Sequence, residues 1–105
     1  MMVRIVEYIK PKPGLEREAE AYVRGWEPLM KQCPGFIRFE FFNTYEFKDP
    51  LNDETTPWMV SHDWEDREAN WEFLATDAGK SILREYTNWI DFHWHTHNEL
   101  THGEA

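Results

Sequence analysis

At 105 residues the chain fits one small domain, a size that buries only about two thirds of its unfolded surface. Twenty acidic residues against eleven basic ones leave a formal net charge of -9, which repels phosphate backbones and anionic bilayers and argues against nucleic acid and membrane as partners. Seven Phe, six Trp and four Tyr exceed the needs of so small a core, so a cavity, a partner surface, or both are expected.

Cys33 is the single cysteine, which excludes an internal disulfide. The opening "MMVRIVEYIK" is too short and too charged for a signal peptide, and no apolar run nears the ~20 residues that cross a bilayer. The expectation is a soluble, cytoplasmic protein with one domain over residues 1–100 and a polar tail over 101–105.

Residues 2–10 alternate Val3, Ile5, Glu7 and Ile9 against Met2, Arg4, Val6 and Tyr8, which predicts a strand largely apolar on both faces. "PKPG" stops it. Leu15, Ala19, Tyr22, Val23, Trp26, Leu29 and Met30 recur at spacings of three and four, the stripe of an amphipathic helix over 15–32. Pro28 lacks a backbone donor and predicts a kink or an end near Trp26.

After "CPG", residues 36–47 read as an aromatic strand, "KDPLNDETTP" as a long hairpin connection and 58–64 as the returning strand. Asp66 is placed to cap a helix over 67–75, and Thr76 or Asp77 a second helix carrying Ala78, Ile82, Leu83 and Tyr86. Residues 89–97 form the last strand, and "NELTHGEA" reads as a tail that frays. The order βαββαβ predicts an α+β, ferredoxin-like split βαβ fold: an antiparallel sheet with its helices on one face. A second copy is expected to cover the other face.

Three stretches, "YIKPKPGLEREAEAYV", "CPGFIRFEFF" and "MVSHDWEDREANWEFLATDAGKSIL", resemble in order and spacing the antibiotic biosynthesis monooxygenase family. The resemblance implies a homodimer whose two sheets pack as a dimeric α/β barrel, with a pocket between each sheet and its own helices. It also implies cofactor-independent oxygenation of phenolic or quinol-like rings, in which a base removes a proton and the carbanion reduces dioxygen. Members that degrade haem carry an Asn on the first strand and a His in the last helix. The matching positions here hold Glu7 and Leu83, so the resemblance does not carry haem ligation to this chain. Trp64 matches an active-site tryptophan of the aromatic-polyketide oxygenases, whereas Val60 replaces an Asn found four residues earlier.

Strand alternation puts Trp58, Val60, His62 and Trp64 on one face, and the match at Trp64 turns that face to the pocket. His62 there is a candidate base; the alternative is a core histidine satisfied by a backbone carbonyl. Glu7, a carboxylate among Val3, Ile5 and Ile9, is a second candidate base or a partner that orients His62; the alternative is a salt bridge with Arg4 or Arg38. Arg38 and Glu40 share parity with Phe36 and Phe42, so one wall of the pocket or of the barrel mixes charge with rings. Asn43 and Tyr45 take the opposite parity and suit interface hydrogen bonds. Trp26, Trp71 and Phe73 either stack on a flat substrate or fill the core. Cys33 shows no nucleophile signature.

His93, His95 and His97 share a strand face with Trp89 and Asp91, opposite Ile90, Phe92 and Trp94. The reading adopted is the wet side of an outer strand; a metal held by His93 and His95 is the alternative. The combined expectation is a cofactor-free monooxygenase-like enzyme with catalytic His62 and Glu7. Trp64, Trp71, Arg38, Glu40, Phe42, Trp26 and Phe73 are its substrate contacts, and a small aromatic molecule and dioxygen are its partners. The competing readings are a dimeric aromatic-ligand-binding module without catalysis and a metal-dependent enzyme built on the C-terminal histidines.

Overall fold

The structure is a computed structural model that describes residues 1–48 and 55–103; part of the predicted hairpin connection, residues 49–54, lies outside the described residues. The elements run β1 (Val3–Pro11), α1 (Glu16–Arg24), α2 (Trp26–Lys31), β2 (Phe36–Asn43), β3 (Trp58–Trp64), α3 (Arg67–Ala75), α4 (Asp77–Trp89) and β4 (Ile90–Glu99). The sheet has the order β2-β3-β1-β4 with every neighbour antiparallel. No helix among the described residues is long and apolar enough to cross a membrane.

The helices cover one face of this sheet. Val3, Ile5 and Ile9 of β1, with Trp58, Val60 and Trp64 of β3, are buried there beneath Ala19, Val23, Trp26, Met30, Phe73 and Ile82. The first helical stripe breaks where Pro28 predicts: α1 ends at Arg24, Gly25 links, and Pro28 falls in the first turn of α2, where no donor is missed. Asp66 caps α3 by accepting from the Ala69 amide at 2.8 Å, and Thr76 rather than Asp77 caps α4 by accepting from Gly79 at 3.1 Å. Gly79 makes this tight corner possible, because a Cβ there would sit 2.3 Å from the Phe73 carbonyl oxygen.

Two expectations need correction. β4 runs on through Glu99, pairing Asn98 with Arg4 and Glu99 with Val3, and the Leu100 amide donates to Met2 at 2.9 Å, so residues 98–100 are not part of a frayed tail. They are held because the start of β1 still offers unpaired backbone at that edge.

The second correction concerns the parity of β2. Phe36 pairs with Trp64 and Arg38 with Asp63, so three residues of β2 span two of β3 and the alternation slips by one. Phe36, Phe39 and Phe41 therefore pack toward the helices. Arg38, Glu40 and Phe42 lie instead on the open face of the sheet, across from Asp63, Ser61 and Met59, and do not share a wall with Phe36. On that open face Asp63 is fully buried between Arg38 at 2.8 Å and Arg4 at 2.8 and 3.0 Å. Burial raises its pKa, and the hydrogen bonds and charges of the two arginines more than reverse that and hold the carboxyl below its ordinary value.

Candidate active site

Glu7 sits at the centre of the helix-covered face, and its neighbours follow from the register. On that face β1 places it opposite Val60 of β3 and His95 of β4, with His62 and His97 flanking Ile5, and His93 opposite Ile9. The histidine side of β4 is therefore turned toward the helices. His93 is half-buried, which corrects the wet-side expectation at that position, whereas His95 and His97 are open to solvent as that expectation has them.

The side chains close a chain of hydrogen bonds. The Trp64 indole Nε1 donates to His62 Nδ1 at 2.8 Å. Nε2 of His62 lies 3.0 Å from Glu7 Oε2, and Nε2 of His93 lies 3.2 Å from Glu7 Oε1. An indole nitrogen only donates, so the neutral His62 ring carries its proton on Nε2 and donates it to Glu7. Burial by itself raises the Glu7 pKa; the hydrogen bonds from His62 and His93, joined by their charges, reverse this and take it from 4.5 to about 2. Glu7 is thus a carboxylate at neutral pH, paired with two imidazoles. Arg4 and Arg38, the alternative partners expected for it, are committed to Asp63 on the other face.

His62, Glu7 and His93 form one wall of a cavity of about 230 Å³ between the sheet and helices α3 and α4, whose apolar wall is Ile5, Leu74 and Leu83. Tyr86, Asn70, His95 and His97 complete it. A trough of about 330 Å³ adjoins it, sharing Ile5, Asn70 and His97 and reaching Trp71 and Arg67 near the surface. Burial raises the pKa of Tyr86, and the Glu7 charge raises it further. His95 is lowered by burial first and by the neighbouring His93 second.

Residues 2–85 match the antibiotic biosynthesis monooxygenase family. The chain belongs to that family. No curated protein matches the sequence. Among solved structures, SnoaB, a cofactor-independent oxygenase from Streptomyces nogalater, is 16% identical with a TM-score of 0.78 over 97% of this chain and 95% of that one. Rv0793 from Mycobacterium tuberculosis is 8% identical with a TM-score of 0.83, covering 100% of both chains. A Dabb family protein with a ferredoxin-like fold from Mesorhizobium loti is 13% identical with a TM-score of 0.75, over 96% of this chain and 98% of that one. At these identities the likeness is one of fold.

Within this monooxygenase-family fold, His62, Glu7 and Trp64 come together as one hydrogen-bonded unit. Trp71 is 55% exposed and lines the trough rather than the inner cavity. Trp26 and Phe73 are core: Trp26 stacks on Tyr86 with centroids 5.8 Å apart, and Phe73 packs on Trp64 at 5.4 Å. Both rings are buried and neither lines the cavity, which corrects their expected contact with substrate. Among the described residues no group of three or more His, Cys, Asp or Glu is placed to hold a metal ion.

Sequence reasoning placed His93 on the wet side of a strand, with metal ligation as the alternative, took Tyr86 as part of a helix's apolar stripe, and passed over Asn70. The available signal was Asn70 itself, an amide between the inward positions Ala69 and Phe73 of α3.

Proposed function

We propose that this chain is a cofactor-independent monooxygenase acting on a planar aromatic or quinol-like small molecule, with dioxygen as co-substrate. The observation that carries this reading is the hydrogen-bonded chain Trp64–His62–Glu7–His93, whose His62, Glu7 and His93 line a cavity beside Ile5, Leu74 and Leu83. Such a site suits proton transfer from a weak carbon acid, because a buried carboxylate stabilises the imidazolium that forms. The carbanion that results is its own reductant. It forms a C–O bond to dioxygen, the peroxide takes the proton back, and loss of water leaves a carbonyl, so CH₂ and O₂ become C=O and H₂O. The cavity and trough together fall within the roughly 300–1,000 Å³ common for small-molecule sites. In this reading the hydrogen-bonded unit built on Glu7 and His62 handles the proton, Trp64 orients His62, and Trp71 screens the trough.

The test is oxygen uptake by metal-stripped protein given anthrone. Turnover above buffer is expected, with a loss of about 100-fold or more in His62→Ala, the scale of general acid-base catalysis. Absence of uptake overturns the reading, and tight binding without product would favour a ligand-binding role instead.

The same reading places a second copy of the chain over the open face of the sheet. Tyr8 and Trp94 stack there with centroids 4.1 Å apart, and Phe42 and Trp94 each remain 40% exposed. Light scattering is expected to give twice the chain mass; a monomer at micromolar concentration contradicts it.

A further inference from the structure

We infer that His93 is the group that receives the substrate's proton and that Tyr86 and Asn70 bind the substrate's oxygens, so the cavity takes a ring ketone or phenol whose acidic hydrogen lies near an oxygenated carbon. This rests on the oxygenase reading above and deepens it. His62 has no nitrogen to spare: Trp64 donates to its Nδ1, and its Nε2 proton is held by Glu7. Glu7 is different from a free base as well, since each of its oxygens already accepts from an imidazole.

His93 remains. Its Nε2 donates to Glu7, which puts the lone pair of the neutral ring on Nδ1, and among the described residues nothing donates to that atom. The side chain lines the cavity and is 23% exposed. Glu7 thus orients His93 as a carboxylate orients a general-base histidine, with His62 and Trp64 steadying the carboxylate from the other side.

Two residues that line the same cavity as His93 carry polar atoms short of partners. Buried side-chain atoms without a hydrogen bond, among the described residues, are Trp26 Nε1, Asn70 Oδ1 and the Tyr86 hydroxyl. Trp26 lies in the core, but Asn70 and Tyr86 both line this cavity, Asn70 only 3% exposed and the Tyr86 ring 4.7 Å from that of His93. Buried polar groups are ordinarily paired, and a ligand oxygen would supply what is missing. The Tyr86 hydroxyl donates to a ketone oxygen and strengthens that bond as the C–H pair moves into the ring to form the enolate. The Asn70 Oδ1 meets a second substrate group, accepting from a hydroxyl. His93 carries the proton and returns it to the peroxide.

Two measurements test this. Nitrogen-15 NMR of the protein without ligand is expected to find the neutral His93 proton on Nε2; a proton on Nδ1 overturns the assignment whatever the substrate. Anthrone incubated with protein in D₂O without oxygen is expected to exchange its methylene hydrogens, and His93→Gln to slow this about 100-fold or more. Tyr86→Phe is expected to raise the KM for anthrone while leaving the His93 tautomer unchanged. Exchange at the wild-type rate in His93→Gln overturns this inference and leaves the oxygenase reading standing. A wild type inert in both exchange and oxygen uptake overturns both.

Discussion

Glu7→Gln is expected to reduce turnover on the order of 10³- to 10⁴-fold, the scale reached when a catalytic histidine is forced into the wrong tautomer. The substituted amide offers one acceptor and one donor where the carboxylate offers two acceptors. His62 must keep its proton on Nε2, because Trp64 donates to Nδ1, so it claims the amide oxygen. His93 then meets the amide N–H, and its proton moves to Nδ1, the atom assigned to receive the substrate's proton. Near-wild-type kcat in Glu7→Gln would remove the carboxylate from the reaction. Stability supplies an independent reading. Because the folded state lowers the Glu7 pKa from 4.5 to about 2, its contribution is fully present above pH 4.5 and is lost as pH falls toward 2. At ~1.4 kcal/mol per pH unit the contribution is on the order of 3 kcal/mol, and urea unfolding at pH 7 and pH 3 should show a smaller acid loss in Glu7→Gln than in wild type.

Phe73→Ala is expected to cost about 3–5 kcal/mol of stability, the usual cost of emptying a buried aromatic site. Phe73 is fully buried in α3 and packs on Trp64, the residue that in turn holds His62, so the void opens directly behind the hydrogen-bonded chain. Denaturant midpoints check the size of the loss. Were Phe73 a substrate contact, the variant would instead show a raised KM with its midpoint unchanged.

The fold was readable because its signals are local. The apolar stripe of α1, the break at Pro28, the Asp66 cap and the two-residue alternation of β1 and β3 each depend on residues a few positions apart. The nearness of Glu7 to His62 was also legible, since a split βαβ order puts the first and third strands side by side, and one lone carboxylate and one histidine lie on their apolar faces. The β2 residues were misplaced because a single extra residue in a ladder inverts every side chain before it, and "FIRFEFF" is aromatic enough on both parities to hide the slip.

Element order, helix caps and breaks, the family resemblance and the face of β3 turned toward the helices were all legible in the residues alone. The tertiary fold settles who touches whom: Arg4 and Arg38 go to Asp63, Glu7 collects His93 as well as His62, and the Tyr86 hydroxyl and Asn70 Oδ1 are buried without hydrogen-bond partners. The physical reason is the range of each effect. Backbone propensities and periodicity act over one turn or one pleat, whereas Glu7 and His93 are 86 positions apart and meet only when β4 closes against the far edge of β1.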